Sequence, residues 1–359
     1  MGPAQLLVAH PGVDDDEDVM DYCVAVVEAI GGTVEIGTSS FRTGAICGVT
    51  LARTGDEVEG AVRDALLALR HAHASRTDVS RFQPAMRMAD ARQLLLERAL
   101  QDAIEHDRLE LHLQPVVDLA SRRITSFESL ARWHDEEFGQ VSPIEFIGLA
   151  EQLGLMRPLG EWCVRTIPGY VAHAAGCGVV LPPVAVNLSP TQLLDESFIA
   201  FLLEEVDRCG APHALTVEVT EGILVSPGAI DALERLAERG IAIAIDDFGT
   251  GFSALSYLTR LPATTVKVDR GFVLGVEEPA TCILVDGIIA LAHALGMRVI
   301  AEGVETEAAL CRLAALGCDA VQGYLTGRPA PLDTWLDHLT TTIPPTTHPT
   351  RPSSAPHDR

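Results

Sequence analysis

The chain has 359 residues, 47% of them hydrophobic, a formal net charge of −24 and a mean hydropathy of +0.21. That size allows one large domain with a small one, and the apolar content excludes disorder over most of the chain. The acidic balance excludes a protein that coats duplex nucleic acid, which needs a basic stripe to displace counterions, but not a small anionic ligand met by a few local cations.

The N-terminus lacks the basic region and long apolar stretch of a signal peptide, and no apolar run reaches membrane-spanning length. The 8 cysteines are scattered, with no C-x-x-C and no zinc spacing with histidine. Most have apolar flanks and read as small core residues in a reducing compartment. The expectation is a soluble, cytoplasmic protein.

Residues 1–80 read as a small α+β region. Gln5–Ala9 is a predicted strand, Asp16–Ile30 an amphipathic helix, Thr33–Ile36 and Ala45–Leu51 two more strands, and Glu57–His73 a second helix. The acidic run Asp14–Asp18 is a solvated helix start, favoured by the helix dipole. Residues 81–108 form a connection whose helix is predicted at Ala89–His106.

From residue 109 short apolar strands alternate with helical stretches, the pattern of a parallel α/β sheet. The predicted strands are Glu110–Val117, Ile124–Arg132, Val184–Leu188, Leu215–Val219, Ile241–Ile245, Thr265–Val268, Met297–Ile300 and Ala320–Gly323. Helices such as Ile144–Leu153, Pro227–Glu238 and Cys282–Leu295 fall between many of them. Eight strands in this length predict a (β/α)8 TIM-like barrel over 109–341, although no helix separates the first two. A doubly wound open sheet is the alternative. Residues 342–359, rich in Pro, Thr and Ser, read as a disordered tail.

Nearly every strand delivers a polar residue at or beyond its C-terminal end: Glu128, Asn187, Glu218, Asp246 with Asp247, Lys267, Glu302 and Gln322. In a parallel barrel those ends share one rim, where active sites are built. Oxygen ligands suit hard divalent cations, and adjacent carboxylates such as Asp246 and Asp247 repel unless a cation lies near. The bland reading of the pair is a turn with Asp247 capping a following helix. Gly249-Thr250-Gly251 gives a loop where backbone can approach a ligand. Lys267, the only lysine in the chain, alternates with Asp269 onto one face. An inward lysine among carboxylates suits a water or phosphate oxygen; a buried ion pair and a Schiff-base lysine are the rival readings.

These residues stand in motifs that resemble a known family, the EAL-domain phosphodiesterases. The motifs are Gln114-Pro115-Val116-Val117-Asp118, Glu128-Ser129-Leu130-Ala131-Arg132-Trp133, Val186-Asn187-Leu188-Ser189 and Glu218-Val219-Thr220-Glu221. Then follow Asp246-Asp247-Phe248-Gly249-Thr250-Gly251-Phe252-Ser253, Lys267-Val268-Asp269, Ala301-Glu302-Gly303-Val304-Glu305-Thr306 and Gln322-Gly323-Tyr324. The resemblance implies hydrolysis of cyclic di-GMP to linear pGpG at two Mg²⁺ or Mn²⁺ ions, in a homodimer associating through the barrel. It implies that Glu128, Asn187, Glu218 and Asp246 hold one ion, and that Asp246 bridges to a second completed by Asp247 and Glu302. Glu302 is then the general base and Lys267 the group orienting the water. Arg132 grips phosphate, and Gln114, Leu130, Asp269, Glu305 and Gln322 line the substrate pocket. Glu221 braces the Asp246–Ser253 loop. A receptor that binds cyclic di-GMP without cleaving it is the alternative.

Two departures stand out. Ser129 replaces the alanine of the signature triplet, and Leu113 replaces an aromatic, with a looser packing contact expected there. The N-terminal region resembles, more weakly, the C-terminal half of a GGDEF (diguanylate cyclase) domain. Pro11-Gly12, the segment from Thr43-Gly44 to Leu51, and Phe82-Gln83-Pro84-Ala85-Met86-Arg87 carry the likeness. Near the place of the cyclase signature stands only Gly2-Pro3-Ala4-Gln5, without an acidic pair for metal, so a truncated or degenerate remnant without cyclase activity is expected.

Overall fold

The structure, a computed structural model, describes residues 6–10, 16–36, 39–53, 55–210, 212–226, 228–249 and 258–340. The predicted tail at 342–359 and the motif residues Gly2–Gln5, Pro11, Gly12 and Thr250–Ser253 lie outside the described residues. The chain divides into two compact units between Arg98 and Ala99.

In the first unit the helix Asp16–Ile30 forms as the periodicity predicts. A hairpin follows, Gly32–Ile36 against Ser39–Thr43, of which only the first strand was predicted. The strand expected at 45–51 contracts to Cys47–Val49, paired in parallel with Val79–Arg81. The strand expected at Gln5–Ala9 is not formed in its described part, 6–9. Leu6, Leu7 and Val8 supply the apolar run but have no ladder partner among the described residues and stay exposed. Helix Val58–Ser75 buries Leu67, Ala68 and Ala72. Gly48 is needed where this helix crosses the sheet, because a Cβ there would run into the backbone of Ala65 and Leu69. The next helix, Pro84–Glu105, starts earlier than Ala89, with proline in its first turn, where a missing N–H does no harm. Arg87 fastens that turn with a bidentate pair to the buried Asp64, at 2.7 and 2.6 Å.

The second unit is a closed barrel. Its strands are β1 (Leu109–Asp118), β2 (Ile124–Asp135), β3 (Val184–Asn187), β4 (Leu215–Thr220), β5 (Ala242–Phe248), β6 (Thr265–Val268), β7 (Arg298–Ala301) and β8 (Ala320–Gln322). From β2 round to β8 each neighbour is parallel. β1 closes the ring, antiparallel to both β2 and β8. A hairpin needs no crossover, which is why no helix separates the first two strands. Closure through β1 excludes the open doubly wound sheet, and the (β/α)8 barrel is the observed fold. Helices Met156–Gly176, Glu196–Cys209, Ala229–Glu238, Pro279–Ala294 and Glu307–Leu316 lie between the later strands.

Leu113 is fully buried, and its carbonyl accepts from Trp335 Nε1 at 2.8 Å. Trp335 in turn packs on Phe127 with ring centroids 6.0 Å apart, so the looser contact expected at Leu113 is not seen. All eight cysteines are free; Cys23 and Cys318 are buried, but Cys177 and Cys311 are exposed, so the core reading fails for those two. Among the described residues no helix is long and apolar enough to cross a membrane.

Candidate active site

The strands deliver their polar residues to one end of the barrel. Lys267, on the short strand β6, is 0% exposed, and four carboxylates converge on its ammonium. Glu302 Oε1 lies 2.6 Å from Nζ, Glu218 Oε2 2.8 Å, Asp246 Oδ1 3.1 Å and Glu128 Oε2 3.4 Å. An ammonium has three N–H bonds, so four carboxylates cannot all be served. Asp246 Oδ1 is the atom left over: it is buried without an aligned hydrogen bond.

The electrostatics follow from this shortage. Burial alone would lower the Lys267 pKa, but Glu128, Glu218, Glu302 and Asp246 outweigh it and raise it well above its usual value. Burial pushes Glu128 up, yet Lys267, Gln322 and Asn187 together hold it below its ordinary range. Burial dominates at Glu218, which is raised well above the usual value. It also raises Asp247, with Asp246 and Asp269 adding repulsion. Glu302 is pushed up from 4.5 to about 7 by burial, with Asp246 and Glu128 opposing the pull of Lys267.

Asp246 and Asp247 lie on β5, which runs through the pair instead of stopping at Ile245. A regular strand would send adjacent side chains to opposite faces. Here the register of β5 against β6 shifts between Ile245 and Phe248, and Asp247 takes a left-handed backbone, φ 53°. This bulge brings Asp246, Asp247 and Glu302 together, each offering a carboxylate oxygen within 4.8 Å of the others. The helix that Asp247 was expected to cap would fall after Gly249, outside the described residues. An all-oxygen set with one orphaned buried carboxylate oxygen fits a hard divalent cation.

The other predicted residues fall as follows. Asn187 donates Nδ2 to Glu128 Oε1 at 2.9 Å, which leaves its Oδ1 as the atom able to meet a cation. Gln322 donates to Glu128 Oε2 at 2.5 Å and to Gln114 Oε1 at 3.2 Å. Glu221, buried, accepts from Gly249 N at 3.1 Å and so holds the start of the loop after Asp247. Arg132 and Leu130 are half-buried on β2; burial lowers the Arg132 pKa against Tyr324 and Glu128. Asp269 lies one residue beyond β6, so strand alternation does not carry it inward beside Lys267. Its Oδ1 caps helix Arg270–Leu274 by accepting from Gly271 N at 2.9 Å. Glu305 pairs with Arg270 at 2.8 Å. Two residues had no role assigned from the sequence: Tyr324, half exposed at the end of the Gln322 motif, and Arg328, whose guanidinium lies 4.0 Å from its ring centroid. An aromatic closing that motif and an arginine four residues on were the available signal.

Residues 97–329 match the family model described as EAL domain. The chain belongs to the EAL-domain family. Curated relatives include the cyclic di-GMP phosphodiesterase NbdA of Pseudomonas aeruginosa, 36% identical over 283 residues, covering 77% of this chain and 36% of NbdA. MucR of the same organism, a bifunctional diguanylate cyclase/cyclic di-GMP phosphodiesterase, is 34% identical over 330 residues, covering 88% of this chain and 47% of MucR. The chain thus spans less than half the length of these relatives. Among solved structures of EAL proteins, the PaMucR phosphodiesterase in complex with c-di-GMP superposes with a TM-score of 0.63 at 36% identity. That match covers 67% of this chain and 99% of the other.

Proposed function

We propose that this chain hydrolyses cyclic di-GMP to linear pGpG with divalent cations, Mg²⁺ or Mn²⁺. The observation that carries the reading is the Asp246–Asp247–Glu302 cluster, its carboxylate oxygens within 4.8 Å, at the strand ends of an EAL-family barrel. Asp246, Asp247 and Glu302 would hold one cation; Glu128, Asn187, Glu218 and Asp246 would hold the other. Bound cations supply a water acidic enough to lose a proton near neutral pH and offset charge on the phosphoryl oxygens. Glu302, a member of that cluster, accepts that proton on a carboxylate oxygen. Lys267, 2.6 Å from Glu302, orients it and the attacking water. Arg132 grips a substrate phosphate with its guanidinium fork. Leu130, Asp269, Glu305, Gln114 and Gln322 line the substrate, and Glu221 braces the loop after Asp247. A receptor that never cleaves its ligand is disfavoured because every ligand position carries a ligating residue type.

The test is incubation with cyclic di-GMP, with Mn²⁺ and with chelator, and chromatography of the products. Linear product should form only with metal, and Asp246→Ala and Glu302→Gln should lower its rate by at least about 100-fold. Product at the wild-type rate from either variant would refute the assignment.

The same reading extends to the whole chain. The free cysteines suit a reducing cytoplasm, and the barrel is expected to pair as a homodimer. The N-terminal unit is read as a degenerate GGDEF remnant; what supports this is that the likeness to MucR runs over 330 residues, beyond the matched 97–329.

A further inference from the structure

Gln114 and Gln322 meet across the antiparallel seam where β1 pairs with β8. They are only 8% and 4% exposed. Both N–H bonds of the Gln322 amide are spent inside the protein: one on Glu128 Oε2 at 2.5 Å, the other on Gln114 Oε1 at 3.2 Å. Gln114 is anchored in turn, donating Nε2 to the Gly327 carbonyl at 3.1 Å. That carbonyl is fixed by packing, since Gly327 has φ 157° and a Cβ there would strike Trp335 and Pro115. A side chain whose task was only to hold substrate would keep its donors open toward the ligand.

The donors instead define one carboxylate. Glu128 has its Oε1 held by Asn187 and its Oε2 held by Gln322 and Lys267. Asn187 and Lys267 both lie among the groups proposed to meet the cation or the water. Among the described residues, Gln322 is the Glu128 partner that stands outside those groups, and Gln114 holds it to the frame of the barrel. Its bond is short and made to an ionised acceptor, the stronger class of hydrogen bond.

We infer that Gln322, locked by Gln114, is a positioning residue for Glu128 and sets the affinity of the site for its cation before any substrate arrives. This rests on the reading of Glu128 as a metal ligand. Partners that orient a ligating carboxylate typically change metal affinity by roughly 10- to 100-fold when removed.

The experiment is calorimetric titration of Mn²⁺ into the full chain without nucleotide. The proteins compared are wild type, Gln322→Ala, Gln114→Ala and the double variant, each checked for folding by its metal-free thermal melt. Gln322→Ala should weaken Mn²⁺ binding by about 10-fold or more. Gln114→Ala should weaken it less. The double variant should be no weaker than Gln322→Ala alone, because both act through one bond. Should Gln322→Ala fail to fold, Gln322→Met keeps the volume without the donor and should show the same loss. Unchanged Mn²⁺ affinity with a raised KM for cyclic di-GMP would make Gln322 a substrate contact only and overturn the inference. Losses that add fully in the double variant would overturn the linkage through Gln114. A wild-type chain that takes up no Mn²⁺ would instead overturn the metal-site reading on which the inference stands.

Discussion

Lys267 shows how much one side chain can decide. Its ammonium balances one of the four acidic groups around it and separates the rest. Replacing it with methionine keeps the volume and leaves buried carboxylates facing one another. Breaking a buried ion pair from one side usually costs about 3–5 kcal/mol. Urea denaturation of metal-free Lys267→Met should show a loss of that order, partly recovered on adding Mn²⁺; unchanged stability would mean that the carboxylates are already protonated. Ser129 is a smaller case. Its hydroxyl donates to the Ala185 carbonyl at 2.7 Å, tying β2 to β3. The family's alanine makes no such bond, so Ser129→Ala should cost about 1 kcal/mol in denaturant unfolding while leaving Mn²⁺ affinity unchanged.

At the scale of the element, the deciding feature is the bulge in β5. Left-handed backbone is tolerated by Asp and Asn but costs most other residues about 1–2 kcal/mol. Asp247→Asn and Asp247→Ala remove the same charge, but asparagine keeps the short polar side chain that favours a left-handed backbone. Asp247→Ala should be less stable than Asp247→Asn by about 1 kcal/mol, and both should lose cation binding. Equal stability would mean that the bulge is not strained. This element also marks the limit of what the sequence made legible. Apolar β5 and the pair at its end were plain from Ile241 to Asp247, and a shared rim followed from the barrel pattern. The re-aiming of Asp247 was not legible, because a register shift depends on the ladder with β6 and leaves no mark in a single strand. Asp269 was placed by alternation on a strand that ends one residue too soon. In the first unit, Leu6–Val8 looked like a strand because apolar composition carries no information about whether a partner is present.

For the molecule as a whole, the acidic site couples folding to pH. Glu302 is raised from 4.5 to about 7, and Glu218 and Asp247 are raised as well. Between those two values the native protein binds more protons than the unfolded chain, so metal-free stability falls as pH rises. The contribution from Glu302 is fully present below pH 4.5 and is lost as pH passes about 7. Thermal melts in chelator should therefore drop across this range, and Mn²⁺, which favours the ionised form, should flatten the drop. Glu302→Gln should show a shallower fall than wild type in chelator; an equal slope would remove Glu302 from the account. The net charge of −24 acts in the same direction through self-repulsion, which is why the variant is needed. The central ammonium has a last consequence, in the order of events during biosynthesis. Small zinc domains acquire structure and ion together, because nothing else holds their ligands. This barrel carries its own provisional cation, so it can fold on leaving the ribosome and be charged with metal afterwards. Stripping the ion with chelator should then leave the far-ultraviolet circular dichroism intact, and activity should return when Mn²⁺ is restored, with no refolding step.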